Sequence, residues 1–188
     1  SQQKTIYSAD QTGFHKISAG SSNLIVDTGA CANLNDENHD SLTAFEFSAG
    51  KQRLIVNCGT SPGNFELREA LKLSAAHSML TIDNKSIGMA ARKESTNSSY
   101  VSTSVTRKLV DGCGLIEISH EGYGESYGLT HNRNLYLSAD GTDLRGEETL
   151  NYSGGPGVIP GKAVVRFHLH PRVRASLVQD GSSILLRP

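Results

Sequence analysis

Residues 45–59, FEFSAGKQRLIVNCG, decide the fold class because their pattern is that of one β-hairpin. Phe45 and Phe47 alternate with polar residues, the period of two that is typical of a half-buried strand. Gly50 can take the positive φ that a tight hairpin turn needs. Residues 54–56, Leu-Ile-Val, then return as a short apolar strand. The stretch therefore predicts two antiparallel strands joined by a tight turn.

Nearly the same pattern occurs thirty residues earlier in the chain. Residues 18–20 (Ser-Ala-Gly) match residues 48–50, and residues 24–26 (Leu-Ile-Val) match residues 54–56. A third variant, LYLSADG at residues 135–141, has Asp-Gly as its turn. One interpretation is that all hairpins look alike. The other is that repeated hairpins stand side by side in one large antiparallel sheet.

Composition favours an all-β protein. The 188 residues fit one large domain or at most two small ones, and the hydrophobic and charged contents, 37% and 20%, are on the low side for a globular chain. Nineteen glycines, together with abundant serine, supply the turns that many short strands require. We expect residues 1–188 to form an antiparallel, multi-stranded β-sandwich, built from stacked hairpins with very little helix.

Several segments refine this expectation. Residues 65–74 suit either period and are interpreted as an irregular or helical turn. Further strands are predicted over residues 75–83, 105–110, 114–121, 129–139, 143–150, 163–170, 173–178 and 183–186.

The charge and hydropathy patterns exclude several classes of protein. A net charge of −1 gives no basic footprint for nucleic acid and no attraction to anionic membranes. No run approaches the roughly 18 apolar residues that span a bilayer. Residues 1–4 are polar, so we expect no export signal within this sequence. An acidic ligand held by a local cluster of Arg, Lys and His stays compatible with the composition.

The cysteines give no disulfide framework. Cys31, Cys58 and Cys113 are odd in number and form no C-x-x-C motif. They are predicted to be free, small and mostly buried residues.

Three residues with nitrogen or oxygen donors flank the predicted strands. His39 lies in a loop before the strand at Phe45, Asn57 ends the returning strand, and His77 lies in the next one. On neighbouring sheet elements they could hold a divalent ion, for which zinc or manganese suits the donors. The alternative is that each histidine only makes local hydrogen bonds, and Asn is a poor zinc ligand.

Two clusters of cationic groups could bind an acidic substrate. In RFHLHP, His168 and His170 share one predicted strand face with Arg166, and such a face can bind a carboxylate or a sulfate. In ISHEGYGESYGLTHNR, residues 118–133, a tyrosine lies near histidines and Arg133, as proton abstraction from a sugar acid requires. For both clusters the alternative is an ordinary solvated surface. The second cluster consists of His120, Tyr123, His131 and Arg133.

Four blocks of the sequence resemble the heparinase II/III family and occur in the family's order. They are HDSLTAFEFSAGKQRLIVNCGT, SAAHSMLTID, ISHEGYG with LTHNRNLYLSADGTDLRGEETL, and VRFHLHPRV. Residues 7–188 look like the C-terminal β-sandwich domain of bacterial members.

The resemblance implies a polysaccharide lyase, an enzyme that cleaves chains of uronic acids by β-elimination. The C5 carboxylate is neutralised, a base removes the C5 proton, and an acid protonates the leaving O4. In the family, an N-terminal α/α toroid supplies the main tyrosine, histidine and asparagine of the cleft. The sandwich domain closes that cleft and often holds a metal.

The family's site residues carry over only in part. Its H-x-H-x-D block places Glu37, His39 and Ser41 at the two histidines and the aspartate. Its strand-end aspartate becomes Asn57, and the histidine of its A-H-(S/N)-T block matches His77. The resemblance thus implies a metal trio of His39, Asn57 and His77 that has lost its anionic member. It leaves the catalytic residues unassigned.

The chain shows no run of amphipathic helices, so we expect a C-terminal fragment of a larger protein whose toroid lies outside this sequence. The resemblance implies that the larger protein acts on an acidic polysaccharide or oligosaccharide in the cell envelope or periplasm of a bacterium, and that this domain is inactive alone. The alternative is a non-catalytic carbohydrate-binding or structural sandwich module.

Overall fold

The structure, a computed structural model, describes residues 5–9, 12–29, 39–90, 101, 103–155 and 158–188. Most of these residues lie in strands, and the helices are short. In chain order the elements are β1 (Thr5–Ala9), β2 (Phe14–Ala19), β3 (Ser22–Asp27), β4 (Phe45–Ala49), β5 (Gln52–Val56), α1 (Phe65–Lys72), β6 (Leu80–Ile82), α2 (Ile87–Ala90), β7 (Thr103–Val110), β8 (Cys113–Tyr123), α3 (Gly124–Tyr127), β9 (Leu129–Leu137), β10 (Leu144–Tyr152), β11 (Ala163–Val165), β12 (His168–Leu169), β13 (Arg174–Val178) and β14 (Ser183–Arg187).

Two larger sheets form the body of the domain. One has six strands in the order β1-β2-β3-β4-β5-β12, and the other has four in the order β10-β9-β8-β7. Two-stranded sheets pair β11 with β6 and β13 with β14. The paired strands run antiparallel throughout. The predicted all-β, antiparallel fold is confirmed.

The two larger sheets pack against each other through an apolar core. Burial alternates residue by residue along β2, β8 and β9, as expected for strands with one face inward. Each sheet contributes branched aliphatic side chains, which makes the arrangement a β-sandwich. The buried members of this core are Ile17, Ala19, Leu24, Val26, Phe45, Ile116, Ile118, Leu135 and Leu137.

A second buried cluster closes one end of the sandwich. Tyr123 and Tyr127, at the end of β8 and in α3, pack there against aliphatic side chains of β6 and α2. Tyr123 has no exposed surface, and its hydroxyl donates to the Leu80 carbonyl at 3.3 Å. The tyrosine considered for proton abstraction is therefore part of the core.

The two matching hairpins do stand side by side. The turn between β2 and β3 has Gly20 at φ 53°, and the turn between β4 and β5 has Gly50 at φ 60°. Strand β3 pairs with β4 through Leu24 and Phe47, so the hairpins are neighbours in the six-stranded sheet. The third variant, β9 with β10, lies in the opposite sheet. The stacked-hairpin interpretation is confirmed for the first two.

The helical interpretation of residues 65–74 is confirmed, and two predicted strands are shortened or divided. Residues 65–72 form α1, which begins at Asn64, whose side chain accepts from the Leu67 amide at 2.9 Å. The predicted strand at residues 75–83 is reduced to β6, because residues 74–76 form a 3₁₀ turn. The predicted strand at residues 163–170 divides into β11 and β12, which pair with different sheets.

The break between β11 and β12 has a clear cause. The Arg166 amide donates to the Met79 carbonyl at 3.0 Å, and the His168 amide donates to the Ser78 hydroxyl at 2.9 Å. A side-chain acceptor thus replaces the backbone carbonyl that a continuous ladder would use. The segment crosses from one sheet to the other at this point.

The structure also bears on the predictions for the cysteines and for membrane-spanning segments. Cys58 and Cys113 are free, but Cys58 is exposed, so burial was the wrong prediction for it. Cys31 and Glu37 lie outside the described residues. In the part of the chain that the structure describes, no helix is long and apolar enough to cross a membrane.

Candidate functional site

Three segments bring the predicted metal residues to one edge of the sandwich. His39 precedes β4, Asn57 follows β5, and His77 follows the 3₁₀ turn. The rings of His39 and His77 are 5.4 Å apart between centroids in a T-shaped arrangement. Asn57 Oδ1 accepts from the Ser78 amide at 2.8 Å, which holds Asn57 beside His77. The three residues are neighbours, and metal binding by them stays a prediction.

His77 is the unusual member of this group. Its side chain is buried, with 4% of the residue exposed, and neither ring nitrogen makes a hydrogen bond of good geometry among the described residues. Burial, together with charges on His39 and His168, lowers its pKa to about 4, and a hydrogen-bond contact with the Leu71 backbone opposes them by less. A neutral imidazole without a hydrogen bond of good geometry is a costly group to bury. It is also in the form in which histidine binds a metal.

His168 and Cys58 form a pair next to His77. The His168 Nε2–H donates to the Ala75 carbonyl at 2.9 Å, which leaves Nδ1 with a free lone pair. Cys58 Sγ lies 3.5 Å from that Nδ1. The Cys58 amide donates to the Ala76 carbonyl at 3.1 Å, so the pair borders the segment that carries His77.

The donor set at this edge suits an ion only in part. His39 and His77 offer imidazoles, but the Asn57 side-chain oxygen already accepts from Ser78 and carries no charge. Among the described residues, no three His, Cys, Asp or Glu side chains stand grouped as a ready-made metal site. An ion at this edge therefore needs a side chain to move, or a donor other than Asn57.

The predicted substrate residues occupy three different environments. His168 is half-buried and contacts Ala75 and Cys58. His170 is half-buried, and its Nδ1 accepts from the Arg172 amide at 3.3 Å. Arg133 is fully buried, 0% exposed. Substrate contacts by these residues stay predictions, and Arg133 has no surface to offer in this conformation.

Arg133 instead connects the interior of the sandwich to the histidine edge. Its Nη1 donates to the Thr43 carbonyl at 2.6 Å and to the Ser78 carbonyl at 2.9 Å. Its Nε and Nη2 bind one carboxylate oxygen of Glu148, at 2.6 Å and 2.5 Å. Ser78 is thus bonded both to Arg133 and to Asn57. The guanidinium holds in place the segment from which His77 projects.

Two buried histidines extend this hydrogen-bond network into the interior, and each hydrogen bond is donated in the direction from His120 towards Glu148. The Gly122 amide donates to His120 Nδ1 at 3.1 Å, so the His120 Nε2–H donates to His131 Nδ1 at 2.8 Å. His131 Nε2–H then donates to Glu148 at 2.6 Å. Burial lowers the pKa of His120 well below its ordinary value. Burial raises the pKa of Glu148, but the hydrogen bond from His131 and the charge of Arg133 outweigh it and lower the pKa overall.

The sequence pattern thus predicted the cluster but not its burial. It also missed Glu148, which lies directly opposite Arg133 in the register of β10 and β9. An apolar cavity of about 420 Å³ lies between the sandwich and β13–β14, with Glu148 among its lining residues. Its walls come from Phe45, Leu135, Phe167, Leu169 and Ile184 among others.

Lowering the pH from 6.5 towards 4 is expected to reduce the free energy of unfolding of the metal-free protein, because the pKa of His77 is lowered by folding. Its pKa is about 4 in the folded state against an ordinary value of 6.5, so the unfolded state binds more protons between these values. This contribution is complete above pH 6.5 and is lost as the pH falls towards 4. The difference corresponds to about 3 kcal/mol.

The check is urea denaturation in EDTA at pH 7 and pH 4.5. Wild type also carries the contribution of His120, which acts in the same direction. His77→Gln is therefore expected to reduce the fall in unfolding free energy by about 2 kcal/mol rather than abolish it. An equally steep fall in the variant would show that the His77 ring is solvated.

These features define an antiparallel β-sandwich domain with a histidine-bearing edge. The chain belongs to the family described as Heparinase II/III-like, C-terminal, whose profile matches residues 1–188. The resemblance inferred from the sequence blocks is confirmed.

Individual relatives cover this chain but extend well beyond it. It is 32% identical over 217 aligned residues to FtsZ-localized protein C of Caulobacter vibrioides (strain NA1000 / CB15N), a match that covers 98% of this chain and 34% of the relative. The chain therefore spans about a third of the length of that curated relative.

Solved structures show the same fold. A heparinase III, the BT4657 gene product, superposes with a TM-score of 0.61 at 15% identity, over 81% of this chain and 23% of that chain. Heparan sulfate lyase HepC from Pedobacter heparinus has a TM-score of 0.53 at 12% identity, over 72% of this chain and 20% of that one.

Proposed function

We propose that this chain is the C-terminal sandwich domain of a larger protein that cleaves an acidic polysaccharide by β-elimination. The observation that carries the proposal is the convergence of His39, Asn57 and His77 at one edge, the positions that the family resemblance assigns. An N-terminal α/α toroid of the same protein is the partner that completes the cleft. The location that we propose is the bacterial cell envelope or periplasm.

The edge has the chemistry to bind a uronic acid. His39 and His170 are only partly buried and offer imidazoles that donate hydrogen bonds to a carboxylate or sulfate when protonated. His39 and His77 are the residues that would hold a divalent ion, such as zinc or manganese. A bound ion would supply positive charge beside the substrate carboxylate.

Among the described residues, the tyrosine and histidine cluster around Tyr123 offers no exposed base for the C5 proton. Tyr123 and Tyr127 are buried, and their hydroxyls donate to Leu80 and to Asp83 inside the domain. His120 and His131 are buried and bonded to one another. We therefore propose that the isolated domain is inactive and that the base comes from the toroid.

The test compares the larger protein with the isolated domain on heparin, heparan sulfate and alginate. The ultraviolet absorbance of the unsaturated uronic product reports cleavage. We expect product from the larger protein, none from the domain, and at least a tenfold loss on His39→Ala. Turnover by the domain alone, or none by the larger protein on any uronan, contradicts the proposal.

A second candidate is a non-catalytic binding or structural module. Asn57 in place of a carboxylate favours it, and so does the name of the curated relative, which describes a location rather than a reaction. Under this alternative the larger protein binds glycans on an array without releasing unsaturated product. Binding without cleavage would support the module, and cleavage would exclude it.

A further inference from the structure

We propose that the apolar cavity between the sandwich and the β13–β14 hairpin binds a small, uncharged, largely apolar molecule that carries an N–H or O–H group. The cavity has a volume of about 420 Å³. In the part of the chain that the structure describes, no histidine lines it. The proposal therefore does not depend on the residues of the histidine-bearing edge or on lyase activity.

The walls of the cavity are almost entirely hydrophobic. Both larger sheets, the segment between β11 and β12 and the hairpin contribute to them, and among the described lining residues only Gly146 and Glu148 are not hydrophobic. A cavity of about 150 Å³ with aliphatic and aromatic walls holds one benzene ring. The present volume therefore accommodates a compound with two or three rings.

Gly146 is the residue that leaves this space open. It lies inside β10 between Leu144 and Glu148, and these three residues, each two positions apart, line the cavity together. Gly146 has no positive φ, so its backbone would accept a side chain. A Cβ there would lie 3.3 Å from Leu135 Cδ2, the end of a flexible side chain. A glycine inside a strand without a conformational reason often marks a place where a ligand approaches.

The hairpin presents an apolar face to the cavity. The strand register sets Ala175 opposite Leu186 and Leu177 opposite Ile184, and directly opposed residues share a face. All of these except Leu177 line the cavity. Phe167 and Ile184, which line it from two sides, are 54% and 61% exposed, so a ligand can reach them from solvent. Covering such side chains removes apolar surface from water and drives binding.

Glu148 determines which ligand charge suits the cavity. It is the one charged residue among the described lining residues, and 19% of its side chain is exposed. Arg133 binds one of its oxygens and His131 the other. The charge of Arg133 balances that of Glu148, so an uncharged ligand fits and an anion would face the carboxylate between apolar walls. A carboxylate has about four acceptor positions, which leaves room for one more N–H or O–H donor.

Two fluorescent probes with the same rings test the ligand class. N-Phenyl-1-naphthylamine is uncharged, has one N–H group and fluoresces strongly in apolar surroundings. We expect it to bind saturably, one molecule per chain, with a dissociation constant in the micromolar range. 8-Anilinonaphthalene-1-sulfonate adds a sulfonate to the same rings and N–H group. We expect it to bind at least about tenfold more weakly, because its charge would face Glu148.

Matched variants locate the bound probe. Gly146→Leu is expected to weaken binding of the uncharged probe by at least about tenfold, because the new side chain would occupy the cavity. Ile184→Ser removes a wall and is expected to weaken binding severalfold. Leu177→Ser is the control, since Leu177 is opposite Ile184 and 73% exposed but does not line the cavity. It should leave the affinity unchanged. Circular dichroism establishes that each variant is folded.

Three results would overturn the proposal. Absence of saturable binding of the uncharged probe at micromolar concentrations would show that the hairpin closes the cavity in solution. Unchanged binding in Gly146→Leu, or equal losses in Ile184→Ser and Leu177→Ser, would place the probe on the exposed surface of the hairpin. Equal affinity for the two probes would contradict the uncharged ligand class.

Discussion

Arg133→Met is expected to lower the free energy of unfolding by about 3–5 kcal/mol, because it removes one partner of a buried ion pair. Glu148 would keep its charge with 19% of its side chain exposed, and the Thr43 and Ser78 carbonyls would lose their donors. Each carbonyl left without a donor adds its own desolvation cost. Urea denaturation followed by circular dichroism measures the loss.

Arg145→Met is the matched control. Arg145 lies on β10 and pairs with Asp143 at 2.6 Å, but 75% of its side chain is exposed. Exposed ion pairs contribute little, so we expect the free energy of unfolding to change far less than in Arg133→Met. Similar losses in the two variants would show that Arg133 is solvated.

A double variant separates the ion pair from the packing. Adding Glu148→Gln to Arg133→Met removes the uncompensated charge while keeping an acceptor for His131. We expect the double variant to recover at least about 1 kcal/mol relative to Arg133→Met alone. No recovery would mean that lost packing and the two carbonyls account for the whole effect.

Gly20→Ala is expected to destabilise far more than Gly50→Ala, although the two turns match in sequence. Both glycines have positive φ, 53° and 60°, which costs an alanine about 1–2 kcal/mol. A Cβ on Gly50 would meet nothing within 4 Å, whereas one on Gly20 would lie 2.1 Å from the Asp140 carbonyl oxygen. That clash is with backbone of the β9–β10 turn, so relief requires the two sheets to shift.

We expect Gly50→Ala to cost about 1–2 kcal/mol and Gly20→Ala about 1–3 kcal/mol more. Thermal and urea denaturation of the two variants provide the comparison. The Ser22 hydroxyl also donates to the Gly141 carbonyl at 2.7 Å at this contact. Equal losses at Gly20 and Gly50 would contradict the packing of the two sheets through these turns.

The sequence was most informative where the structure is local. The hairpins β2–β3 and β4–β5 follow from alternation and a turn glycine, both within a dozen residues. The predicted strands at residues 75–83 and 163–170 were wrong in extent, because Ser78 supplies a hydroxyl to a distant amide. Such a contact leaves no periodic signal.

The candidate site also has residues that the sequence predicts and residues that only the structure shows. His39, Asn57 and His77 were found through the family resemblance, and Glu148 could have been found from the Asp-Gly hairpin turn, since that register sets it opposite Arg133. The burial of Arg133 was harder to predict, because alternation puts Arg133 on the inward face of β9 with Leu135 and Leu137, whereas its charge argues for solvent. Cys58 and His168 are 110 residues apart, so no spacing motif connects them.

The account depends on a buried, neutral His77 at the edge that also carries His39 and His168. The most direct measurement is the NMR titration of the histidine rings in metal-free protein from pH 7.5 to pH 4. We predict that His77 stays neutral until the pH approaches 4, as its lowered pKa requires. A His77 ring that titrates near pH 6.5, with the shift of a solvated imidazole, would contradict the site.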